Sequence, residues 1–334
     1  MDIQNPIHYF GHMRNEVFQG QHCETTATGN LLYHHDIHLS EPMMFGLGEG
    51  LGFIFLNLKT LNLPFVGGRS KPFELTTALC SNLGLKLECR ETSSRTKARE
   101  NILDVVANGT PVGLQLDSFY LDYFSSKIHF AGHAVACLGI EADRAVIVDT
   151  KQQGGIHKVT LSDLEKARFE KGPMSAKARS WTIEAPSKDI DLPKAITNAI
   201  RKNARTYLKP AFKGMSFLGI EKLAHSLPTW LKLCKTPDDL VLASRLMERA
   251  GTGGSIFRCF YRDFLAESSK LLNSKPLNQS HLSFIEIAED WRNVAALIEE
   301  SGRTSSEEPL KSAAQICATL AIKEKKAMEV LNRI

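Results

Sequence analysis

The spacing of hydrophobic positions changes along the chain, and it is helical first. Three early segments place apolar residues at helical intervals: TTATGNLLYHHDI, KPFELTTALCSNLGL and RTKARENILDVVANG. Thr25 or Thr26 is the expected N-cap of the first, while Gly84 and Gly109 are suited to end the second and third. A further helix start is expected at Ser40, which precedes an acidic residue and a proline.

The period then shortens to that of strands. TPVGLQLD, HAVACLGIE, RAVIVDT and GIHKVTL are short, rich in β-branched residues and separated by turns, and ARSWTIEA is a possible fifth strand. Consecutive strands joined by short turns predict a mainly antiparallel sheet. Because helices come first and strands afterwards, the order favours an α+β fold over a doubly wound α/β fold.

After EAPSKDIDLP, residues 184–193, the strand pattern disappears and the remaining apolar positions follow helical spacing to the end of the chain. We therefore expect two domains: an α+β domain over residues 1–187 and an all-helical domain over residues 188–334.

Composition narrows the class of protein. Of 334 residues, 43% are hydrophobic and 23% are charged, and a net charge of +4 is too small to indicate a nucleic-acid binder. No apolar run reaches the roughly 18–20 residues of a membrane helix, and the N-terminus has no signal-peptide order. We expect a cytoplasmic protein without membrane insertion. Seven scattered cysteines without a C-x-x-C motif indicate reduced thiols.

Cys23 stands in polar company immediately before the first predicted helix, in QGQHCETT. Free N–H groups at a helix start favour a thiolate, and a nucleophilic thiol also needs a base and donors for an oxyanion. Gln19 and Gln21 lie just upstream, and either could supply a side-chain amide donor. A lone cysteine at a helix start is more often an inert residue, so the prediction depends on a base elsewhere.

His133 is the best candidate base. It opens the strand HAVACLGIE, and the next strand ends at Asp149, so a hairpin through the short turn EADR could bring the carboxylate to the imidazole. Taken alone, His133 could be a structural histidine and Asp149 could cap a turn. The chain order Cys, His, Asp, with a helix before a sheet, is typical of papain-like cysteine enzymes.

Two longer motifs narrow the resemblance. The run HCETTATGNLLYHHDIHLSEPMMFGLGEGLGF resembles the start of the butirosin-biosynthesis protein H family, and GTGGSIFRCFYRDFLAES resembles its helical C-terminal domain. The resemblance implies a papain-like fold and a catalytic set of Cys23, His133 and Asp149. It also implies acyl transfer in secondary-metabolite biosynthesis: an acyl or aminoacyl group moves from a carrier-protein or coenzyme A thioester to an amine. The phosphopantetheine arrives with the substrate, so no further cofactor is expected.

The glycine-rich run FGLGEGLG lacks the spacing of a dinucleotide fingerprint. Gly46, Gly48 and Glu49 could line an acyl channel, although close backbone packing is the simpler explanation. Glu41 and Glu49 could instead hold a cationic amine acceptor.

GTGGS precedes another predicted helix, so Gly253 and Gly254 could present N–H groups to the phosphate of phosphopantetheine. Arg258 and Arg262 share a face of that helix and could assist, or could pair with carboxylates. His34, His35 and His38 lack a completing ligand, so we expect no metal site.

Two rival functions remain open from the sequence. One is a cysteine peptidase or amidase of the same fold, because the choice between water and an amine depends on the pocket. The other is a non-catalytic protein that only binds an acyl carrier. The apolar surface of the predicted helices would also suit a homodimer.

Overall fold

The computed structural model describes residues 16–58, 61–125 and 128–334, which form two compact units. The first unit contains residues 16–41 and Gly84–Ile190, and the second contains Pro42–Leu83 and Asp191–Ile334. Residues 42–83, which the sequence analysis placed in the first domain, are thus grouped with the C-terminal helices. The division into domains 1–187 and 188–334 stays a prediction.

The helices and strands of the described residues are as follows. The helices are α1 (Cys23–Tyr33), α2 (Glu41–Leu47), α3 (Glu74–Leu83), α4 (Arg95–Val106), α5 (Leu161–Phe169), α6 (Leu192–Leu208), α7 (Ser216–Ser226), α8 (Trp230–Leu233), α9 (Asp238–Arg249), α10 (Arg258–Leu271), α11 (Lys275–Thr304) and α12 (Glu308–Leu331). The strands are β1 (Leu51–Leu56), β2 (Phe65–Arg69), β3 (Leu87–Arg90), β4 (Val112–Leu116), β5 (His133–Glu141), β6 (Arg144–Val148), β7 (Ile156–Thr160) and β8 (Ser180–Ile183).

The first unit is built on a six-stranded antiparallel sheet with the order β3-β8-β4-β5-β6-β7. Its central strands are the most buried, and α4 and α5 contribute Ile102, Val106, Leu164 and Ala167 to the hydrophobic core against them. Burial of these side chains is the main contribution to stability, at about 25 cal/mol per Å² of apolar surface.

The second unit combines the two-stranded antiparallel pair β1-β2 with the remaining helices. Long helices α11 and α12 pack together, and α7, α9 and α10 pack against them. Its centre contains a buried ion pair in which Arg258 Nε donates to Glu324 Oε1 at 2.8 Å. None of the helices in the described part of the chain has the length and apolar character that a membrane-spanning segment requires.

The predicted α+β class, with an antiparallel sheet and a helical C-terminal part, is confirmed. All five predicted strands are present as β4 to β8, and Gly84 and Gly109 adopt left-handed φ values of 69° and 76° after α3 and α4. The prediction missed α5 and strands β1, β2 and β3. Two of the missed strands contain glycines, and β3 is a four-residue edge strand that is not buried.

Candidate active site

Cys23 is the first residue of α1 and is buried. The N-cap of this helix is His22, whose Nδ1 accepts a hydrogen bond from the Thr25 N–H at 3.4 Å. The prediction that Thr25 or Thr26 caps the helix is therefore wrong. The Thr26 hydroxyl instead donates to the His22 carbonyl at 2.8 Å, and the Thr25 hydroxyl oxygen lies 2.9 Å from the same carbonyl oxygen. The cap stabilises the turn that places Cys23 at the helix start.

His133 opens β5, and Asp149 directly follows the last residue of β6. The two strands pair antiparallel, with Glu141 opposite Arg144 at the turn. The start of β5 and the end of β6 therefore meet at one edge of the sheet. There His133 Nε2 and Asp149 Oδ2 lie 2.7 Å apart, and both side chains are buried. The predicted hairpin brings these two residues together.

Cys23 interacts with the same imidazole, since hydrogen bonding and charge interaction with Cys23 are among the causes that raise the pKa of His133. Because Nε2 of His133 is bound to Asp149, Nδ1 is the ring nitrogen left for the thiol. Burial opposes a charge on His133, but the Asp149 carboxylate and Cys23 outweigh it, so the pKa of His133 is raised. Burial likewise disfavours the charged form of Asp149, yet its partners lower the pKa of that carboxyl. The raised pKa makes His133 a good proton acceptor, and the lowered pKa keeps Asp149 charged.

Tyr123 is a further member of the site that the sequence analysis did not find. Its hydroxyl donates to Asp149 Oδ2 at 2.7 Å, while the backbone N–H of Thr150 donates to Oδ1 at 2.6 Å. The Tyr123 ring stacks on His157 with 3.7 Å between centroids. Burial and the nearby Asp149 carboxylate raise the pKa of Tyr123, which keeps its hydroxyl a donor. The carboxylate of Asp149 is therefore held from three sides.

The His133 ring also has a hydrophobic neighbour. The Phe124 ring meets it edge to face, with centroids 5.2 Å apart and an interplanar angle of 84°. Phe124 and Tyr123 belong to the irregular segment between β4 and β5, which carries no periodic pattern. One segment thus supplies a packing contact to the imidazole and a hydrogen bond to its carboxylate partner.

Glu41, suggested from the sequence as a residue that could hold a cationic amine acceptor, has partners within the protein. Its buried carboxylate accepts the backbone N–H of Gln21 at 2.8 and 3.0 Å, the N–H of His22 at 2.8 Å and the Thr25 hydroxyl at 2.7 Å. Burial raises the pKa of Glu41, and these hydrogen bonds oppose the shift. A carboxylate engaged in this way is not available to hold an amine acceptor.

The two glutamines have different surroundings. The Gln19 amide packs against Gly155, where an added Cβ would lie 2.6 Å from Gln19 Nε2, and the Lys151 N–H donates to the Gly20 carbonyl at 2.8 Å. Both Gln19 and Gln21 are exposed residues. Which glutamine faces an oxyanion stays a prediction. The backbone N–H of Cys23 itself has no acceptor within the described residues, so it is free to donate to a substrate oxygen.

The glycine-rich run of the second unit is a packing motif. An added Cβ at Gly46 would lie 2.0 Å from the Phe264 ring, and one at Gly48 would lie 2.6 Å from the Leu75 side chain. Glu49 accepts a hydrogen bond from Asn82 Nδ2 at 3.0 Å, and burial raises its pKa. The simpler explanation of close backbone packing is the one that the structure supports for the two glycines.

Two N–H groups of the GTGGS turn, those of Gly254 and Ser255, are already bound within the protein. The Ser255 N–H donates to both Glu248 carboxylate oxygens, at 3.0 and 3.1 Å, and an added Cβ at Gly253 would lie 2.6 Å from the Phe260 ring. Gly254 adopts φ of 96°, a left-handed conformation that favours glycine. These glycines therefore serve the turn and its packing.

The two arginines after this turn pair with carboxylates, as the alternative reading held. Arg258 is fully buried and binds Glu324, and its Nη1 also donates to the Ile256 carbonyl at 2.8 Å. Arg262 pairs with its neighbour Asp263, at 2.7 Å from Nε to Oδ1. The enclosed guanidinium of Arg258, with its charge already paired, supports the carboxylate alternative rather than a phosphate-binding role.

In the part of the chain that the structure describes, no three metal-ligating side chains come together. His34 and His35 make a ring contact with 4.9 Å between centroids, and His38 packs on Tyr33 at 4.4 Å. The His35 Nε2 is hydrogen-bonded to the Ile183 carbonyl at 2.7 Å. These three histidines therefore have packing and hydrogen-bonding roles at the end of α1.

The fold and the site define an α+β protein with a buried thiol, imidazole and carboxylate at one edge of an antiparallel sheet. The chain belongs to the family whose two parts are described as Butirosin biosynthesis protein H, N-terminal, matched over residues 22–150, and Domain of unknown function (DUF4872), matched over residues 162–331. The first match includes Cys23, His133 and Asp149.

No curated protein matches the chain. One similar solved structure is the peptidase domain of Streptococcus ComA, described as a bifunctional ABC transporter involved in a quorum-sensing pathway. It shares 10% sequence identity, covers 50% of this chain and 93% of its own, and superimposes with a TM-score of 0.32.

Proposed function

We propose that the protein is a cysteine acyltransferase that moves an acyl or aminoacyl group from a carrier-protein or coenzyme A thioester to an amine. The observation that carries the proposal is the 2.7 Å contact between His133 and Asp149, together with the interaction of Cys23 with the same imidazole. A thiol beside an imidazole that is oriented by a carboxylate is an arrangement for nucleophilic acyl transfer. Membership of the butirosin-biosynthesis protein H family supports a thioester donor and an amine acceptor.

The first half-reaction acylates the enzyme. His133 takes the proton of Cys23, and the thiolate attacks the thioester carbonyl carbon to give a tetrahedral oxyanion. The Cys23 N–H donates to that oxyanion. As the intermediate collapses, the bond to the phosphopantetheine sulfur breaks, and the departing thiol takes the proton back from His133. The result is an acyl group on Cys23 and a free carrier thiol.

The second half-reaction forms the product. The neutral His133 imidazole removes a proton from the amine as its nitrogen attacks the acyl-Cys23 carbonyl. The bond to Cys23 breaks, and its sulfur regains the proton from His133. The product is an amide. Asp149 keeps its charge throughout and stabilises the imidazolium that forms in each half-reaction. In this proposal the enzyme works in the cytoplasm and needs no resident cofactor.

Intact mass measurement tests the proposal. We expect incubation with acyl-CoA thioesters, or with an acylated carrier protein, to add one acyl group to the wild-type protein and none to Cys23→Ala. An added amine should discharge the adduct as an amide. Discharge by water at the same rate with and without amines, or cleavage of peptides, would instead identify a hydrolase. Binding of the acylated carrier with neither adduct nor turnover would identify a non-catalytic carrier-binding protein.

A further inference from the structure

The backbone just before Cys23 is held by an acid that lies outside the thiol, imidazole and carboxylate series. Glu41 is buried, and its two oxygens accept four contacts of 3.0 Å or less from Gln21, His22 and Thr25. Every partner found for this carboxylate in the described structure lies within residues 21–25. Burying a carboxylate costs free energy unless hydrogen bonds replace the lost water, and these four contacts provide that replacement.

These contacts determine which backbone N–H groups around the helix start are already hydrogen-bonded. Glu41 takes those of Gln21 and His22, and the His22 ring takes that of Thr25. The N–H of Cys23 is left without an acceptor in the described residues. An oxyanion donor must be held in place before the reaction to be effective, since its benefit depends on avoiding reorganisation.

The chain also leaves room for this acid at Gly20. A Cβ added at Gly20 would lie 2.5 Å from Glu41 Oε1 and 2.9 Å from Thr26 Oγ1. On its other side, the Gly20 carbonyl accepts the Lys151 N–H at 2.8 Å, next to Thr150 and the Asp149 carboxylate. Gly20 therefore lets the carboxylate close on the turn while the same residue is tied to the segment that carries Asp149.

We infer that Glu41 is a positioning residue: its carboxylate fixes the turn of residues 20–22 so that the Cys23 N–H points at the oxyanion formed during acylation. This inference rests on the proposed use of Cys23 as a nucleophile. Glu41 does not touch the reacting atoms. Its loss should therefore slow reactions that pass through an oxyanion and should spare reactions of the same thiol that do not.

Two reagents separate those reactions without a natural substrate. Acetylation of Cys23 by p-nitrophenyl acetate passes through a tetrahedral oxyanion and releases p-nitrophenol. Alkylation by iodoacetamide displaces iodide and forms no oxyanion. In Glu41→Gln, which keeps the size of the side chain but replaces one acceptor oxygen by a donor, we expect acetylation to fall at least about tenfold. We expect the alkylation rate to stay within about threefold of the wild-type rate.

Gly20→Ala disturbs the same contact from the backbone side. It should likewise slow acetylation and leave the alkylation rate nearly unchanged. Asp163→Asn is the matched control, because this carboxylate accepts the hydroxyl of Thr160, the N-cap of α5 in the same unit, and lies outside the proposed site. It should leave both rates unchanged. Melting temperatures of all variants show whether they are folded, and Thr25→Val, which removes only the hydroxyl donor, provides a milder change if the others do not fold.

Three outcomes would overturn the inference. The first is an unchanged acetylation rate in Glu41→Gln and Gly20→Ala, and the second is a parallel fall of the acetylation and alkylation rates. The third is a failure of p-nitrophenyl acetate to acetylate Cys23 of the wild-type protein. The proposed function fails separately. Suppose that p-nitrophenyl acetate modifies Cys23 of the wild-type protein but that no carrier or coenzyme A thioester acylates it. That result would remove the transferase assignment and leave the positioning role of Glu41 intact.

Discussion

His133 Nε2 lies 2.7 Å from Asp149 Oδ2, and the Tyr123 hydroxyl donates to that same oxygen at the same distance. One carboxylate oxygen therefore binds both the imidazole and a phenol. The phenol stays neutral, since burial raises the pKa of Tyr123, and it therefore acts only as a hydrogen-bond donor to Asp149. Its effect is to favour the charged form of Asp149, which in turn favours the imidazolium.

Tyr123→Phe tests this relationship with a minimal change. The variant keeps the ring that stacks on His157 and removes the donor to Asp149. Because Tyr123 helps to lower the pKa of Asp149, we expect that pKa to rise and the acidic limb of the Cys23 acylation rate to move to higher pH. A hydrogen bond to a charged group contributes about 1.5–3 kcal/mol. A pH–rate profile that superimposes on that of the wild type would contradict the prediction.

Asp149→Asn should have the larger effect on the reaction. The amide is nearly the same size but has no charge, so it cannot stabilise the imidazolium and can hold the wrong ring tautomer. We expect acylation of Cys23 to slow by about 10²–10⁴-fold, as in other nucleophile and histidine sites. The measurement is the single-turnover rate of adduct formation. His129 offers a control. Its exposed imidazole contacts the buried carboxylate of Asp117 at 3.1 Å elsewhere in the unit, and His129→Gln removes that contact. It should change the rate less than about threefold.

The sequence was sufficient to predict the central part of this site. Cys23, His133 and Asp149 each stand at the end of a regular element, and the short turn between two strands determines which residues meet across them. Tyr123 was not predictable in this way. It lies in an irregular segment 26 residues before Asp149, and no periodic pattern connects the two.

Burial was the property that local sequence represented least well. Glu41 and Arg258 are charged residues at helix starts, where exposure is the usual expectation, yet both are enclosed and fully engaged. Two partners of Arg258 come from segments distant along the chain, Glu324 in α12 and the Gly68 carbonyl in β2. Such long-range contacts leave no trace in spacing, and the same reason accounts for the edge strand β3.

The His133–Asp149 pair should make stability depend on pH. The pKa of His133 is raised in the folded state, so its contribution is fully present below its unfolded value of about 6.5 and is lost as the pH rises through the higher folded value. The pKa of Asp149 is lowered, so its contribution is present above its unfolded value and is lost as the pH falls through the folded one. The stabilisation is therefore greatest between the unfolded pKa values of Asp and His.

Denaturant unfolding of wild type and His133→Gln should show a difference in the free energy of unfolding that shrinks above pH 6.5. A difference that grows there would contradict the prediction.

The last prediction concerns the buried ion pair of the second unit and separates a structural arginine from a phosphate ligand. Arg258→Met leaves Glu324 buried without its cation, so we expect the free energy of unfolding to fall by about 3–5 kcal/mol. Among folded molecules, the KM for a coenzyme A thioester should not change, because the guanidinium is enclosed. Arg262→Met removes a partly exposed pair with Asp263 and should cost about 0–1 kcal/mol. Denaturant unfolding and steady-state kinetics measure both quantities. A raised KM with unchanged stability in Arg258→Met would show that the arginine binds phosphate after all.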